Sequence, residues 1–192
     1  MSIEHIIAQR RSIRNFSQRK IAITLLKKLI GAARLAPSAA NRQFLEYLLI
    51  TKPRLCSAVF KQLAWAGYIA PRGNPPAGGE PVAYVAILIN TKKASLYDLR
   101  DVGAAAQNIM LMAQSLGIGS CWLGSIKRAR LRKILAVPEH LHIDTIIALG
   151  YPRMKSVIAP YRGSIKYYLD TRGVLHVPKR QLRDILHMNT VG

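Results

Sequence analysis

Two cysteines in 192 residues are too few for a disulfide scaffold or a cysteine-rich zinc module. Asp and Glu together number nine, so a site built on paired carboxylates has little material to draw on. The longest apolar stretch, Val102 to Leu116, is too short for a membrane span and is interrupted by Gln107, Asn108, Gln114 and Ser115. No G-x-G-x-x-G follows a strand, and there is no Walker A run and no G-x-S-x-G elbow. The only close histidine pair, His140 and His142, lacks the companions of a ligand set and reads as surface loop, so no metal is expected. Cys56 and Cys121 both read as buried structural residues. No side chain stands out as a catalytic group. An enzyme built on this chain would take its hard chemistry from a cofactor and supply binding and electrostatics itself.

What is present is charge of one sign. Lys and Arg number 29, giving a formal net charge of +20, which attracts anions at long range and says nothing about fold. Half the residues are apolar, and a chain of this length buries about 70% of its unfolded surface, so one domain over residues 1–192 is expected. The N-terminus is basic and amphipathic without the apolar core of a signal peptide, which predicts a cytoplasmic protein with no membrane partner. Ser2 is placed to cap a first helix running to about Arg10, and Thr24 a second that ends before Pro37. Strands are expected at Glu46–Thr51, Val82–Asn90, Ser120–Leu123 and Ile143–Leu149, with an edge strand at Ile165–Leu169. Helices are expected over Leu55–Trp65, from Asp98 or Asp101 to Leu116, over Lys127–Leu135 capped by Ser125, and over Gln181–His187. Tyr68–Pro81 is the one Pro/Gly-dense run and reads as a lid or binding loop. The class is α+β, without a strict βαβ rhythm.

Three segments suit an anionic, planar ligand. Arg10, Arg11, Ser12 and Arg14 place three guanidiniums and a hydroxyl within five residues, a donor set for phosphate that a solvated basic face would also produce. Ala36–Gln43 combines small residues with Ser38, Asn41 and Gln43, partners for a heteroaromatic edge. Gly117–Ser125 has glycines that let backbone lie flat against a ring.

In order and spacing these segments resemble the FMN-dependent nitroreductases. That family opens with R-R/H-S-x-R/K-x-F, here Arg10–Phe16, and follows with A-P-S-x-x-N-x-Q, here Ala36–Gln43. Next come D-x-G-x-A-x-Q-N-x-x-L-x-A at Asp101–Ala113, G-x-G-S-C-W at Gly117–Trp122 and A-L-G-Y-P at Ala148–Pro152. The basic Val177–Arg180 stretch fits as well. The family often continues N-x-Q-P-W-x-F, whereas this chain lacks that Pro and Trp after Gln43.

The resemblance implies an α+β fold with a central, mostly antiparallel sheet flanked by helices, paired as an interleaved homodimer with FMN across the interface. It implies Arg10, Arg11, Ser12 and Arg14 at the FMN phosphate and pyrimidine edge. Pro37, Ser38, Ala39, Asn41 and Gln43 would come from the partner subunit to line the ring, with backbone of Leu123 and Gly124 near its reactive nitrogen and Lys179 or Arg180 closing on the phosphate. The apolar Val102–Leu116 helix would then be an interface element. NAD(P)H would be the electron donor and a nitroaromatic or quinone the acceptor, in a two-half reaction. Two other readings remain open on the residues alone. One is a nucleic-acid-binding protein, resting on the charge and on the Lys127–Lys133 run, with no known motif and aromatics at only 7% against it. The other is a flavin-binding protein without turnover.

Overall fold

The apolar run ending at Asn90 becomes the axis of the molecule. In the computed structural model, which describes residues 2–93 and 99–191, it forms β3 (Ala83–Asn90), and every residue of this strand is buried. For reference along the chain, β1 is Phe16–Ser17 and β2 is Leu45–Ile50. Successive side chains of a strand point to opposite faces, and β3 feeds a core on each. Ala83, Val85, Ile87 and Ile89 enter one, and Tyr84, Ala86 and Leu88 the other. β3 pairs antiparallel with β2 on one edge, and β4 (Gly119–Leu123) follows later in the chain. The long β5 (Leu141–Pro152) takes the other edge of β3 and also pairs antiparallel with β4 and with β1. The expected mostly antiparallel central sheet is thus present.

The helices follow from where apolar residues recur. α1 (Ile3–Gln9) starts at Ser2, whose hydroxyl accepts from the His5 amide as the sequence predicts. α2 (Ile23–Arg34) buries Leu26, Leu29 and Ala33, and α3 (Pro53–Phe60) buries Cys56 and Val59. α4 (Leu99–Ser115) packs on α2 through Val102, Ala105, Ala106, Ile109 and Ala113, and its small residues let the two helices come close. Asn108 Nδ2 adds a bond of 3.1 Å to the Ala32 carbonyl. α5 (Arg128–Ile134) contributes Leu131 to the core on the other face of the sheet, beside α3. Each fully buried Leu or Ile is worth about 1.5–3 kcal/mol, so these two layers supply most of the driving force.

Some boundaries differ from expectation for identifiable reasons. α2 begins one residue before Thr24, with Ala22 in the cap position and no side-chain bond there. Ser125 does not cap α5: the helix begins after Lys127, and the Ser125 carbonyl accepts from Ala64 N at 3.0 Å. Asp98, one of the two expected starts of α4, lies outside the described residues. Of the predicted edge strand, only Tyr168–Leu169 (β7) pairs, and two further strands accompany it. β6 (Ser156–Pro160) and β8 (Leu175–Lys179) form a parallel pair, with β7 antiparallel on the far side of β8. The Asp170 turn between β7 and β8 is held by His176 Nε2 at 3.0 Å and by the Val174 and Arg172 amides at 2.9 Å. These contacts keep the Asp170 carboxyl below the usual carboxylate range. Gln181–His187 contains only a short 3-10 turn, Leu182–Asp184.

The β3–β5 ladder has one irregularity. Ile87 pairs with Thr145 but Leu88 pairs with Ile143, so Asp144 is an extra residue on β5. Such a bulge reverses the parity of a strand. Leu141 and Ile143 before it therefore share a core with Ile146 and Ala148 after it.

Where β1 crosses β5, Gly150 leaves room for Phe16. A Cβ at Gly150 would lie 2.8 Å from Phe16 Cβ and Cδ1, and Phe16 is fully buried. Gly150→Ala should cost about 1–3 kcal/mol through overpacking, read as a lowered urea midpoint. Gly31→Ala in α2, where nothing lies within 4 Å, is the contrast and should gain up to about 1 kcal/mol from helix propensity.

Candidate functional site

The basic run leaves α1 as extended chain and joins the sheet: Ser12 bridges Ser120 in parallel, and Ile13 N donates to the Ser120 carbonyl at 2.9 Å. Extension sorts its side chains. Ile13 and Arg11 turn inward, while Arg10 and Ser12 face a cavity of about 530 Å³ shared with Trp122, Gly124, Arg128 and Asp144. The Arg11 guanidinium is engaged by the end of α1, donating to the carbonyls of Arg10 and Ala8, the latter at 2.6 Å. Burial, and then repulsion from Arg10, draws its proton affinity below that of a free guanidinium. Arg10 has the opposite situation. Its guanidinium is half-buried and desolvated, which lowers its pKa, and it makes no ion pair with a carboxylate among the described residues.

Arg14 points elsewhere. Its guanidinium lies 5.3 Å from the Tyr167 ring centroid, and its Nε is buried without a partner. It lines a smaller cavity of about 190 Å³ with Asn15, Met154 and the loop residues Arg72 and Asn74. The Tyr68–Pro81 loop is tied down around this cavity. Tyr68 packs on Tyr167 at 5.0 Å, and the Gly79 carbonyl accepts from Phe16 N at 3.0 Å.

A polar relay fixes the turn after β4. Trp122 Nε1 donates to Thr145 Oγ1 at 2.6 Å, and that hydroxyl donates to the Leu123 carbonyl at 2.7 Å. Arg128 clamps the same region through the carbonyls of Asp144 (2.7 Å), Ile143 (3.2 Å) and Gly124 (3.3 Å). The Asp144 carboxyl is pushed up by burial, against the pull of Arg128. Leu123 is buried and Gly124 exposed at the cavity mouth. Thr145→Val keeps the shape and removes the hydroxyl, leaving a buried carbonyl and an indole N–H unpaired. A loss of about 1–3 kcal/mol is expected by urea denaturation, with a shift in the emission of Trp122.

The Ala36–Gln43 segment is held by a residue that sequence reasoning left out of the site. Asp101, buried at the start of α4, accepts from Ser38 Oγ at 2.7 Å and from Ala39 N at 3.1 Å. Ser38 Oγ in turn accepts from Gln43 N at 3.0 Å, and Gln43 Nε2 donates to Asn41 Oδ1 at 2.9 Å. Ala40, Asn41 and Gln43 all adopt φ near +50°, costly for residues with a Cβ. Pro37, Ser38 and Gln43 line a separate recess of about 110 Å³ with Tyr47, whose hydroxyl is pushed up to about 12 by burial and by the nearby Asp101 charge.

Within one chain, then, Arg10, Ser12 and Gly124 converge, while Arg14, the Pro37–Gln43 loop, Lys179 and Arg180 do not line their cavity. Lys179 and Arg180 are exposed at the end of β8. Trp122, Asp144, Thr145 and Arg128 are the wall residues not nominated from sequence. Trp122 and Arg128 stood in segments already singled out, whereas the bulge that brings Asp144 and Thr145 together has no local signal. Among the described residues no cluster of three His, Cys, Asp or Glu could hold a metal ion, and no helix is long and apolar enough to cross a membrane.

Comparison with known proteins gives the family. The nitroreductase family model matches residues 7–151. A protein of Archaeoglobus fulgidus named as an NADH dehydrogenase/NAD(P)H nitroreductase is 32% identical over 155 residues, spanning 77% of this chain and 84% of the relative. The FMN reductase (NADPH) of Bacillus subtilis is 21% identical, over 76% of this chain and 64% of its own. Among solved structures, a Desulfovibrio desulfuricans nitroreductase in complex with FMN superposes with a TM-score of 0.73 at 24% identity, covering 100% of this chain and 99% of that one. The chain belongs to the nitroreductase family.

Proposed function

We propose that the protein is an FMN-dependent NAD(P)H oxidoreductase that works as a homodimer and reduces nitroaromatic, quinone or similar small acceptors. The observation that carries this is Arg10. A desolvated guanidinium without a carboxylate, set beside the Ser12 hydroxyl in a cavity of about 530 Å³, is a donor set that a phosphate completes. Arg10 and Ser12 hold the phosphate, Arg11 secures the end of α1 behind them, and the Leu123–Gly124 backbone, fixed by Thr145 and Arg128, forms the wall against which a ring lies. Arg14 lies in the separate cavity against Tyr167 and is not assigned to this wall. FMN when bound supplies hydride-accepting and electron-donating chemistry, so the donor and the acceptor can use one cavity in turn.

The dimer is supported by surface that one chain leaves unfinished. Ile3 and Ile7 on α1 and Trp122 on β4 are exposed. So is the tail carrying Leu182, Ile185, Leu186 and Met188. Large apolar side chains left in water are the material from which interaction surfaces are built. The strained Ser38–Gln43 loop and the Lys179–Arg180 pair complete the FMN site of the partner subunit, with α4 in the interface.

The test is an absorption spectrum of the purified protein with acid release of its chromophore, alongside its mass by light scattering. About one FMN per chain, bleached by NAD(P)H and reoxidised by a quinone, in a particle of twice 21.3 kDa, is the expected result. A colourless protein that ignores added FMN would refute the proposal.

A further inference from the structure

A second cavity, also of about 530 Å³, lies between α3, the chain after β1 and residues 80–82, and shares no lining residue with the Arg10 cavity. We propose that it binds a small amphipathic monoanion, an aromatic or short acyl body ending in one carboxylate or sulfonate. The volume falls within the range of small-molecule sites. Its walls are apolar at Pro53, Phe60, Pro81 and Val82. Cys56, also in the wall, is an uncharged thiol: burial pushes it up to about 11, and its Sγ lies 3.7 and 3.6 Å from the Ile50 and Val82 carbonyls.

At the rim stand Lys20 and Lys61, neither of which makes a hydrogen bond or ion pair with a described residue. Glu80 is the one carboxylate in the lining. Two ammonium groups against one carboxylate leave a single positive charge, which matches a monoanion. The proposal does not depend on the identity of the cofactor at Arg10.

Two fluorescent probes of similar shape test it: anilinonaphthalene sulfonate, an anion, and N-phenyl-naphthylamine, which is uncharged. The wild-type protein should bind each at a single saturable site that excess FMN does not compete for. The double variant Lys20→Ala/Lys61→Ala, altered only at the rim, should bind the sulfonate about fivefold or more weakly and the neutral probe within about twofold of wild type, which also reports that the groove is intact. Ser57→Trp, on the exposed side of α3, should block both probes. The proposal fails if the sulfonate shows no saturable site, if the lysine variant binds it like wild type, or if FMN displaces it. It fails equally if Ser57→Trp converts a dimer to a monomer, because a second copy of the chain would then be the occupant.

Discussion

Arg10→Ala should weaken FMN binding about 10- to 100-fold, measured by quenching of flavin fluorescence on titration with the apoprotein. A charge-assisted hydrogen bond contributes about 1.5–3 kcal/mol, and each 1.4 kcal/mol is about tenfold in affinity. Arg10 stands to deliver the upper part of that range because its guanidinium is already desolvated and has no internal carboxylate to fall back on. The neighbouring Arg11→Ala is the discriminating control. Its guanidinium is bonded to the Ala8 and Arg10 carbonyls, so its loss should lower the unfolding midpoint by an amount worth about 1 kcal/mol and change FMN affinity far less. Equal effects of the two variants on affinity would mean that the basic run acts as an undifferentiated patch. An unchanged affinity in Arg10→Ala would remove the phosphate from this cavity.

Asp101→Ala should be the most damaging single change in the site, at about 3 kcal/mol of stability. The carboxylate receives the Ser38 hydroxyl and the Ala39 amide while buried under α2 and the Ala36–Gln43 loop. Its removal leaves two half-buried donors without their acceptor, at about 1–3 kcal/mol each in the worst case. The loop also loses the tether that offsets three positive φ values. Because that loop is assigned to the FMN site of the partner subunit, FMN affinity and dimer mass should fall together with the urea midpoint. Asp101→Asn, which keeps one acceptor oxygen, should fall between alanine and wild type. A variant that lost stability but kept full FMN affinity would separate the loop from the cofactor.

How much of this was readable in the chain varies with how local the cause is. β3 was legible because eight buried residues in a row leave no other interpretation, and α1 because Ser2 and the His5 amide lie three residues apart. α4 was legible as apolar, while its division into a buried stripe and a half-exposed side depends on what packs against it. The β6–β8 pair was not legible. Ser156–Pro160 and Leu175–Lys179 are five residues each, both contain proline, and their parallel pairing joins segments with β7 between them. No short-range pattern encodes such a contact. In the site, the residue types of the phosphate donors were legible, but their directions were not. Alternation of extended chain assigns Arg11 to the end of α1 and Arg10 to the cavity; it would keep Arg14 with Arg10 and Ser12, yet Arg14 lies against Tyr167. Asp101 was visible as the head of a motif, and only the folded loop reveals that it is the loop's anchor.

The extra residue at Asp144 has a consequence in chain arithmetic. A regular strand offers a cavity every second side chain, so two neighbours such as Asp144 and Thr145 cannot both serve as wall. Here they do, because β5 spends one more residue than β3 over the same span. The pairs on either side, Ile87 with Thr145 and Leu88 with Ile143, would already meet in regular register without it. The carboxylate beside the Thr145 hydroxyl is therefore an insertion accommodated by the sheet, and a homologous strand one residue shorter would present the hydroxyl alone. Among proteins of this fold, the length of that strand would record which acceptors the cavity wall can meet with a carboxyl group, independently of the identity of any residue in it.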